Sequence, residues 1–147
     1  MMIIEKILGG KPENPQGKPV ETVSFEWFEM NNRILKKVSS KGREIGLRLS
    51  EPLLDGGLLF EDDEGIILLE LLPCEICRVH VHSPRELGRV CFELGNRHLP
   101  VSIREDDMTV NTPYDKPTFE YLERLGFHCE RAAEKFTPEI IVRGHSH

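Results

Sequence analysis

The feature that most constrains the fold is the position of the helix signals, all of which lie after residue 80 of the 147-residue chain. Before that point short apolar runs alternate with turns, and period-2 alternation places Val23, Phe25 and Trp27 on one face of a strand. Two further pairs of apolar runs flank turns and predict hairpins: residues 33–38 with 44–49, and residues 58–60 with 66–71. The first part of the chain is therefore predicted to be all-β, without a helix.

The pattern changes after Pro73, where we place a domain boundary. Residues 76–82 alternate as a strand. A helix is predicted to follow, with Ser83 as its N-cap, Pro84 at its first position and Glu86 completing a capping box. Gly95 is predicted to end this helix in a left-handed conformation.

The remaining elements complete a known order. Residues 99–103 and 108–110 alternate as a hairpin, Asp115 opens a second helix that Gly126 ends, and residues 127–131 supply a fourth strand. The order β-α-β-β-α-β is that of the ferredoxin-like fold. The predicted fold class is therefore α+β, in three parts: an all-β domain over residues 1–73, a ferredoxin-like domain over residues 74–136, and a mobile histidine-bearing tail over residues 137–147.

Composition excludes two classes of partner. The formal net charge is −6 and the longest basic run is Lys36-Lys37, so we do not expect binding to nucleic acid. The apolar stretches are shorter than the ~20 residues that span a bilayer, and the N-terminus lacks a basic region and a cleavage site. We therefore expect a cytoplasmic protein, without a membrane partner, that keeps its four cysteines reduced.

Cys74 and Cys77, followed by His80 and His82, are the ligand types of a zinc site. In a strand, however, Cys77 faces the apolar side and the two histidines face the other side, so one ion is not expected to gather all four. Cys77 is interpreted as a core residue, while a surface chelate between His80 and His82 stays open. Two further cysteines are interpreted as packing residues: Cys91 and Cys129.

His98 follows the first predicted helix and precedes a strand whose odd-numbered residues are apolar. Its side chain is therefore expected to point away from the core. One interpretation is a solvated surface histidine. The other is a metal ligand, because two copies of His98 across a twofold axis would supply two imidazole nitrogens and leave positions open for further ligands.

The chain ends in Gly144-His145-Ser146-His147, a His-x-His pair that suits Ni²⁺, Cu²⁺ or Zn²⁺. Two histidines so close together also arise by chance, and both interpretations stand. The sequence has no glycine-rich phosphate loop and no Gly-x-Ser-x-Gly motif, and its acidic clusters at residues 61–64 and 105–107 lie at predicted turns. We predict no catalytic residue and expect that the protein is not an enzyme.

Together these motifs resemble one family, the urease accessory protein UreE, a nickel metallochaperone. The most specific match is Phe92-Glu93-Leu94-Gly95-Asn96-Arg97-His98-Leu99-Pro100, which is similar to the family's signature around its metal-binding histidine. Supporting matches lie in both predicted domains and in the tail: residues 33–37, 45–49, 55–65 and 143–147.

The resemblance implies a homodimer joined through the ferredoxin-like domains, with His98 of both chains on the twofold axis. It also implies that Ni²⁺, held by His98 with His145 and His147, passes to the urease accessory GTPase and then to the urease apoenzyme. Zn²⁺ or Cu²⁺ suits the same imidazoles. The first domain is assigned to binding of a partner or peptide.

Two further points limit the assignment. Some members of the family carry a His-x-His pair after the signature, where this chain has Val110-Asn111-Thr112-Pro113, so a peripheral metal site is not expected there. The alternative function is that of a zinc-binding structural scaffold or adaptor, in which Cys74, Cys77 and nearby histidines hold the ion.

Overall fold

The chain forms two compact units, one of residues 1–72 and one that begins at Pro73, and each has its own apolar core. The computed structural model describes residues 1–139. Pro73, the predicted last residue of the first domain, instead opens the first strand of the second unit.

The first unit contains six strands: β1 Met2–Ile4, β2 Val20–Phe25, β3 Ile34–Val38, β4 Glu44–Arg48, β5 Leu58–Glu61 and β6 Ile66–Leu71. They form two three-stranded sheets, in the orders β1-β4-β3 and β2-β6-β5. Both predicted hairpins are confirmed, since β3 pairs antiparallel with β4 and β5 with β6. The sequence did not predict the parallel pairs, which join β1 to β4 and β2 to β6.

The prediction that no helix precedes residue 80 is wrong at one point. Trp27–Glu29 is a single 3₁₀ turn and not the end of a strand. The turn is favoured because the Glu29 carboxylate accepts the backbone N–H of Glu26 at 2.9 Å, which stops the extended chain of β2. Val23 and Phe25 are fully buried, as their alternation predicted.

An ion pair between the buried Glu21 and the half-exposed Arg43 ties β2 to the β3–β4 turn. Glu21 is only 3% exposed, and its carboxylate accepts hydrogen bonds from Arg43 Nη2 at 2.6 Å and Arg43 Nε at 3.0 Å. The Ser39 hydroxyl donates to the same carboxylate. The hydrogen bond with Arg43 lowers the pKa of Glu21 to about 2. Glu21 is therefore held as a carboxylate although it is buried.

Up to residue 139, the second unit contains four strands and two helices: β7 Pro73–His80, α1 Pro84–Asn96, β8 Ser102–Arg104, β9 Thr109–Pro113, α2 Lys116–Arg124 and β10 His128–Lys135. The strands form one antiparallel sheet in the order β10-β7-β9-β8. Its core joins both helices to the sheet through buried residues that include Val79, Leu94 and Leu122. The predicted α+β class and the ferredoxin-like order are confirmed.

Local sequence signals set most of the helix ends in this unit. Ser83 Oγ accepts the N–H of Glu86 at 3.1 Å, and Asp115 Oδ2 accepts the N–H of Thr118 at 3.2 Å, so both predicted N-caps are confirmed. Gly126 follows α2 with φ 92°, as predicted. Within residues 1–139 neither helix is long and apolar enough to cross a membrane.

Candidate metal centre

His98 lies directly after α1, where the chain turns out of the helix. The prediction that Gly95 ends the helix is wrong: α1 continues to Asn96, and the left-handed residue is His98, with φ 60°. The His98 N–H donates to the Gly95 carbonyl at 3.0 Å, and the Leu99 N–H donates to the Leu94 carbonyl at 3.1 Å. This pair of bonds is a Schellman motif, whose left-handed position is usually glycine. A histidine held there against backbone preference is a candidate functional residue.

The residue before His98 is fixed by a contact with α2. The Arg97 guanidinium carbon lies 4.2 Å from the ring centroid of Tyr121. The Tyr121 hydroxyl in turn donates to Glu93 Oε2 at 2.8 Å, and this hydrogen bond raises the pKa of Tyr121. The two helices are therefore joined at the turn that carries the imidazole.

The surface of α1 that leads to His98 combines one large apolar side chain with two glycines. Phe92 is 69% exposed. Gly88 and Gly95 lie four residues before it and three after it, and so share its face of the helix. A Cβ built on either glycine would meet no atom within 4 Å. This face ends at the exposed His98 and leaves room for another protein surface to approach closely.

Both units match the domains of one family. Residues 4–71 match the model of the UreE urease accessory protein, N-terminal domain, and residues 74–147 match that of its C-terminal domain. The chain belongs to the UreE urease accessory protein family. The urease accessory protein UreE of Haemophilus influenzae strain PittGG is 35% identical over 94% of this chain and 78% of its own length. Those of Bifidobacterium longum subsp. infantis and Flavobacterium johnsoniae are 34% and 32% identical, each over 99% of this chain and over 66% and 91% of their own lengths.

Residues 92–100, which resemble the UreE signature, cover the last turn of α1, the His98 turn and the segment that leads towards β8. Thr112 of β9 fixes the far side of this segment, because its hydroxyl donates to the Pro100 carbonyl at 2.8 Å. Thr112 is fully buried. Its hydrogen bond supports the backbone at Pro100, two residues after His98.

The cysteines of this UreE chain do not join the histidines in one site. Cys77 is fully buried in the core of the second unit, and a hydrogen bond with Cys129 raises the pKa of the Cys77 thiol. Burial raises the pKa of Cys91. Both thiols therefore favour the protonated form, which is a poor metal ligand. Among residues 1–139, no group of three or more His, Cys, Asp or Glu side chains stands in a geometry that holds a metal ion.

A cluster of histidines that the sequence did not reveal lies on the face of β7 opposite the buried Cys77. His128, the first residue of β10, pairs directly with His80, and the two ring centroids are 4.6 Å apart. The ring of His82 lies 6.1 Å from that of His128. Glu130 Oε1 lies 3.1 Å from His80 Nε2. We call these four residues the histidine cluster; only the strand register, which the sequence does not contain, could have revealed it.

The other candidate residues are placed as follows. His145 and His147 lie outside the described residues. In the acidic turn after β5, Asp62 Oδ1 accepts the N–H groups of Glu64 and Gly65 at 2.9 and 3.0 Å. This carboxylate stabilises its own turn.

Proposed function

We propose that this member of the UreE family is a nickel metallochaperone, in which one Ni²⁺ is held between two copies of His98 at a homodimer interface. The ion is cargo, delivered for assembly of the urease active site. The observation that carries the proposal is the left-handed backbone of the exposed His98, in a position where glycine would be less strained. The turn itself does not require an imidazole.

The ligand set follows from the requirements of delivery. Two His98 side chains related by a twofold axis supply two nitrogens and leave coordination positions open. His145 and His147 are proposed to fill those positions and to be replaced by ligands of the receiving protein. Because imidazoles bind Cu²⁺ and Zn²⁺ as well as Ni²⁺, we assign the choice of metal to the partner complex and to metal supply.

The interface is assigned to the face of α1 that carries Phe92. An exposed aromatic side chain between two glycines permits close packing of a second copy of the helix, and His98 lies at the end of this face. Packing of this kind would bring the two imidazoles towards the axis, where one ion can bind both.

The partners proposed are the urease accessory GTPase and the urease apoenzyme, and no catalytic step is assigned to this chain. Contacts with a partner or peptide are assigned to the first unit. Ile34 and Val38 of the edge strand β3 are 79% and 64% exposed on one face of that strand, which suits an apolar contact.

Titration of the full chain with Ni²⁺, with molar mass measured by light scattering, tests the proposal. We expect a dimer with one tightly bound Ni²⁺ per two chains. His98→Ala should remove that ion, whereas Asn96→Ala, in the same turn, should retain it. Unchanged stoichiometry and affinity in His98→Ala would refute the assignment. Loss of the bound metal together with loss of folding on replacement of Cys74 and Cys77 would favour the zinc-scaffold alternative.

A further inference from the structure

The histidine cluster brings metal-ligating groups of two strands together. His80 on β7 and His128 on β10 are direct partners in the antiparallel register. Side chains at such positions start from Cβ atoms about 4.5–5.5 Å apart, a separation from which two imidazoles can reach one ion with bonds of about 2.1 Å. His82 follows two residues after His80 and extends the row of rings, with an angle of 13° between its ring plane and that of His128.

A carboxylate completes the ligand set. Glu130 lies two residues after His128 and therefore on the same face of β10. Its Oε1 atom is 3.1 Å from His80 Nε2, so these two donor atoms already lie as close as neighbouring ligands of one metal ion.

The ring planes of His80 and His128 are tilted by 30°, and among residues 1–139 no three potential ligands converge on one point in this arrangement. Convergence requires rotation of side chains and leaves the backbone in place. The side chains of His80 and Glu130 are 30% and 47% exposed, and His82 and His128 are exposed, so rotation does not disturb the apolar core. The cluster is therefore a site that a metal ion can assemble.

One cation competes for the same carboxylate. Arg78 Nη1 lies 3.3 Å from Glu130 Oε1, and the guanidinium also pairs with Glu134. When a metal ion binds Glu130, Arg78 keeps its ion pair with Glu134. Metal binding therefore exchanges one exposed ion pair, of small stabilising value, for coordination bonds.

We propose that His80, His128 and Glu130, with His82 as a fourth ligand, bind one divalent first-row transition ion per chain, in a second metal site on the outer face of the ferredoxin-like sheet. Two or three imidazoles with one carboxylate form a ligand set that suits Zn²⁺ and Ni²⁺. The site needs no second chain, unlike the proposed His98 site, and it does not depend on that proposal.

Zn²⁺ alone is the probe, because it does not oxidise the four thiols. The test uses the full chain with the substitutions His98→Ala, His145→Ala and His147→Ala, which remove the ligands of the proposed interface site. Competition with a chromophoric chelator should show one Zn²⁺ per chain in this background. Adding His128→Gln should weaken that binding at least about tenfold, as should adding His80→Gln.

Glu75→Gln is the matched control, because Glu75 lies on β7, is exposed, and pairs with Arg131 at 2.6 Å outside the cluster. It should leave zinc affinity unchanged. Zinc should also shift the imidazole NMR signals of His80 and His128. Absence of zinc binding in the His98-free background, or binding that His128→Gln and His80→Gln leave intact, would overturn the proposal. Neither outcome would affect the interface site, which is measured with His98 present.

Discussion

His98 occupies at the end of α1 the position that Gly126 occupies at the end of α2. Both residues have a left-handed backbone, with φ 60° and 92°. Each donates its N–H to the carbonyl three residues earlier at 3.0 Å, and each is followed by a residue whose N–H bonds five residues back at 3.1 Å. Both α1 and α2 thus end in a Schellman motif, with histidine in the left-handed position after α1 and glycine after α2. The histidine form costs backbone strain and places an imidazole at a fixed point of the surface.

This comparison predicts different stabilities for two variants of the same site. His98→Gly should be more stable than His98→Ala by about 1 kcal/mol, because glycine adopts the left-handed conformation without the steric cost of a Cβ. Both variants should lose the proposed nickel ion, since both lack the imidazole. Urea denaturation of metal-free protein at one fixed concentration gives the first quantity, and calorimetric titration with Ni²⁺ gives the second.

Gly126→Ala is the control for backbone strain without loss of a ligand. It should lower the free energy of unfolding by about 1 kcal/mol and leave nickel affinity unchanged. Equal stability of His98→Gly and His98→Ala would contradict the assignment of strain to this turn.

A second prediction concerns the support of the His98 turn by β9. Thr112→Val keeps the shape of the buried side chain and removes the hydroxyl that donates to the Pro100 carbonyl. The free energy of unfolding should fall by about 1 kcal/mol, the value of a typical hydrogen bond. Nickel affinity should fall as well, by less than in His98→Ala, because the ligand remains and only its support is weakened.

Tyr121→Phe provides the comparison for Thr112→Val. It removes a hydroxyl hydrogen bond, to Glu93, and keeps the aromatic ring under Arg97. If the ring contact holds the turn, nickel affinity should not change. An equal loss of affinity in the two variants would mean that general destabilisation, and not the support of Pro100, is the cause.

Local signals in the sequence account for the helix starts and for one helix end. Ser83 and Asp115 act as N-caps, and Gly126 takes the left-handed position, each for reasons confined to one turn. Gly95 does not end α1 because glycine is tolerated inside a helix, and the packing of the following segment decides which residue turns the chain. The position in the sequence alone does not show that His98, and not Gly95, takes the left-handed conformation.

Pairings between distant segments account for what sequence reasoning missed. The parallel pairs β1–β4 and β2–β6 join strands far apart in the chain, and alternation within a strand does not specify its neighbours. For the same reason the sequence does not reveal that His128 lies opposite His80, which follows from the register of β10 on β7. His98 is exposed as expected, but it lies in the left-handed turn after α1 and not in line with β8, which begins only at Ser102.

A third prediction uses the ion pair between Glu21 and Arg43 in the first unit. The pKa of Glu21 is lowered to about 2 in the folded protein from an ordinary value of 4.5, so folding favours the ionised form. The stabilisation is present above about pH 4.5 and is lost as the pH falls towards 2. Wild-type stability should therefore fall more steeply over this range than that of Glu21→Gln, whose side chain does not titrate. Parallel curves from acid titration followed by circular dichroism would contradict the assignment.

The last prediction separates the proposed roles of His98 and of the two histidines near the chain end. Deletion of residues 144–147 removes His145 and His147 and leaves both copies of His98 in place. If the twofold pair is the fixed part of the site, the truncated protein should remain a dimer and bind Ni²⁺ more weakly, because fewer imidazoles complete the coordination shell. Calorimetry and light scattering on the two forms measure affinity and mass together. Complete loss of binding would make the chain end the principal site, and identical affinity would remove His145 and His147 from the ligand set.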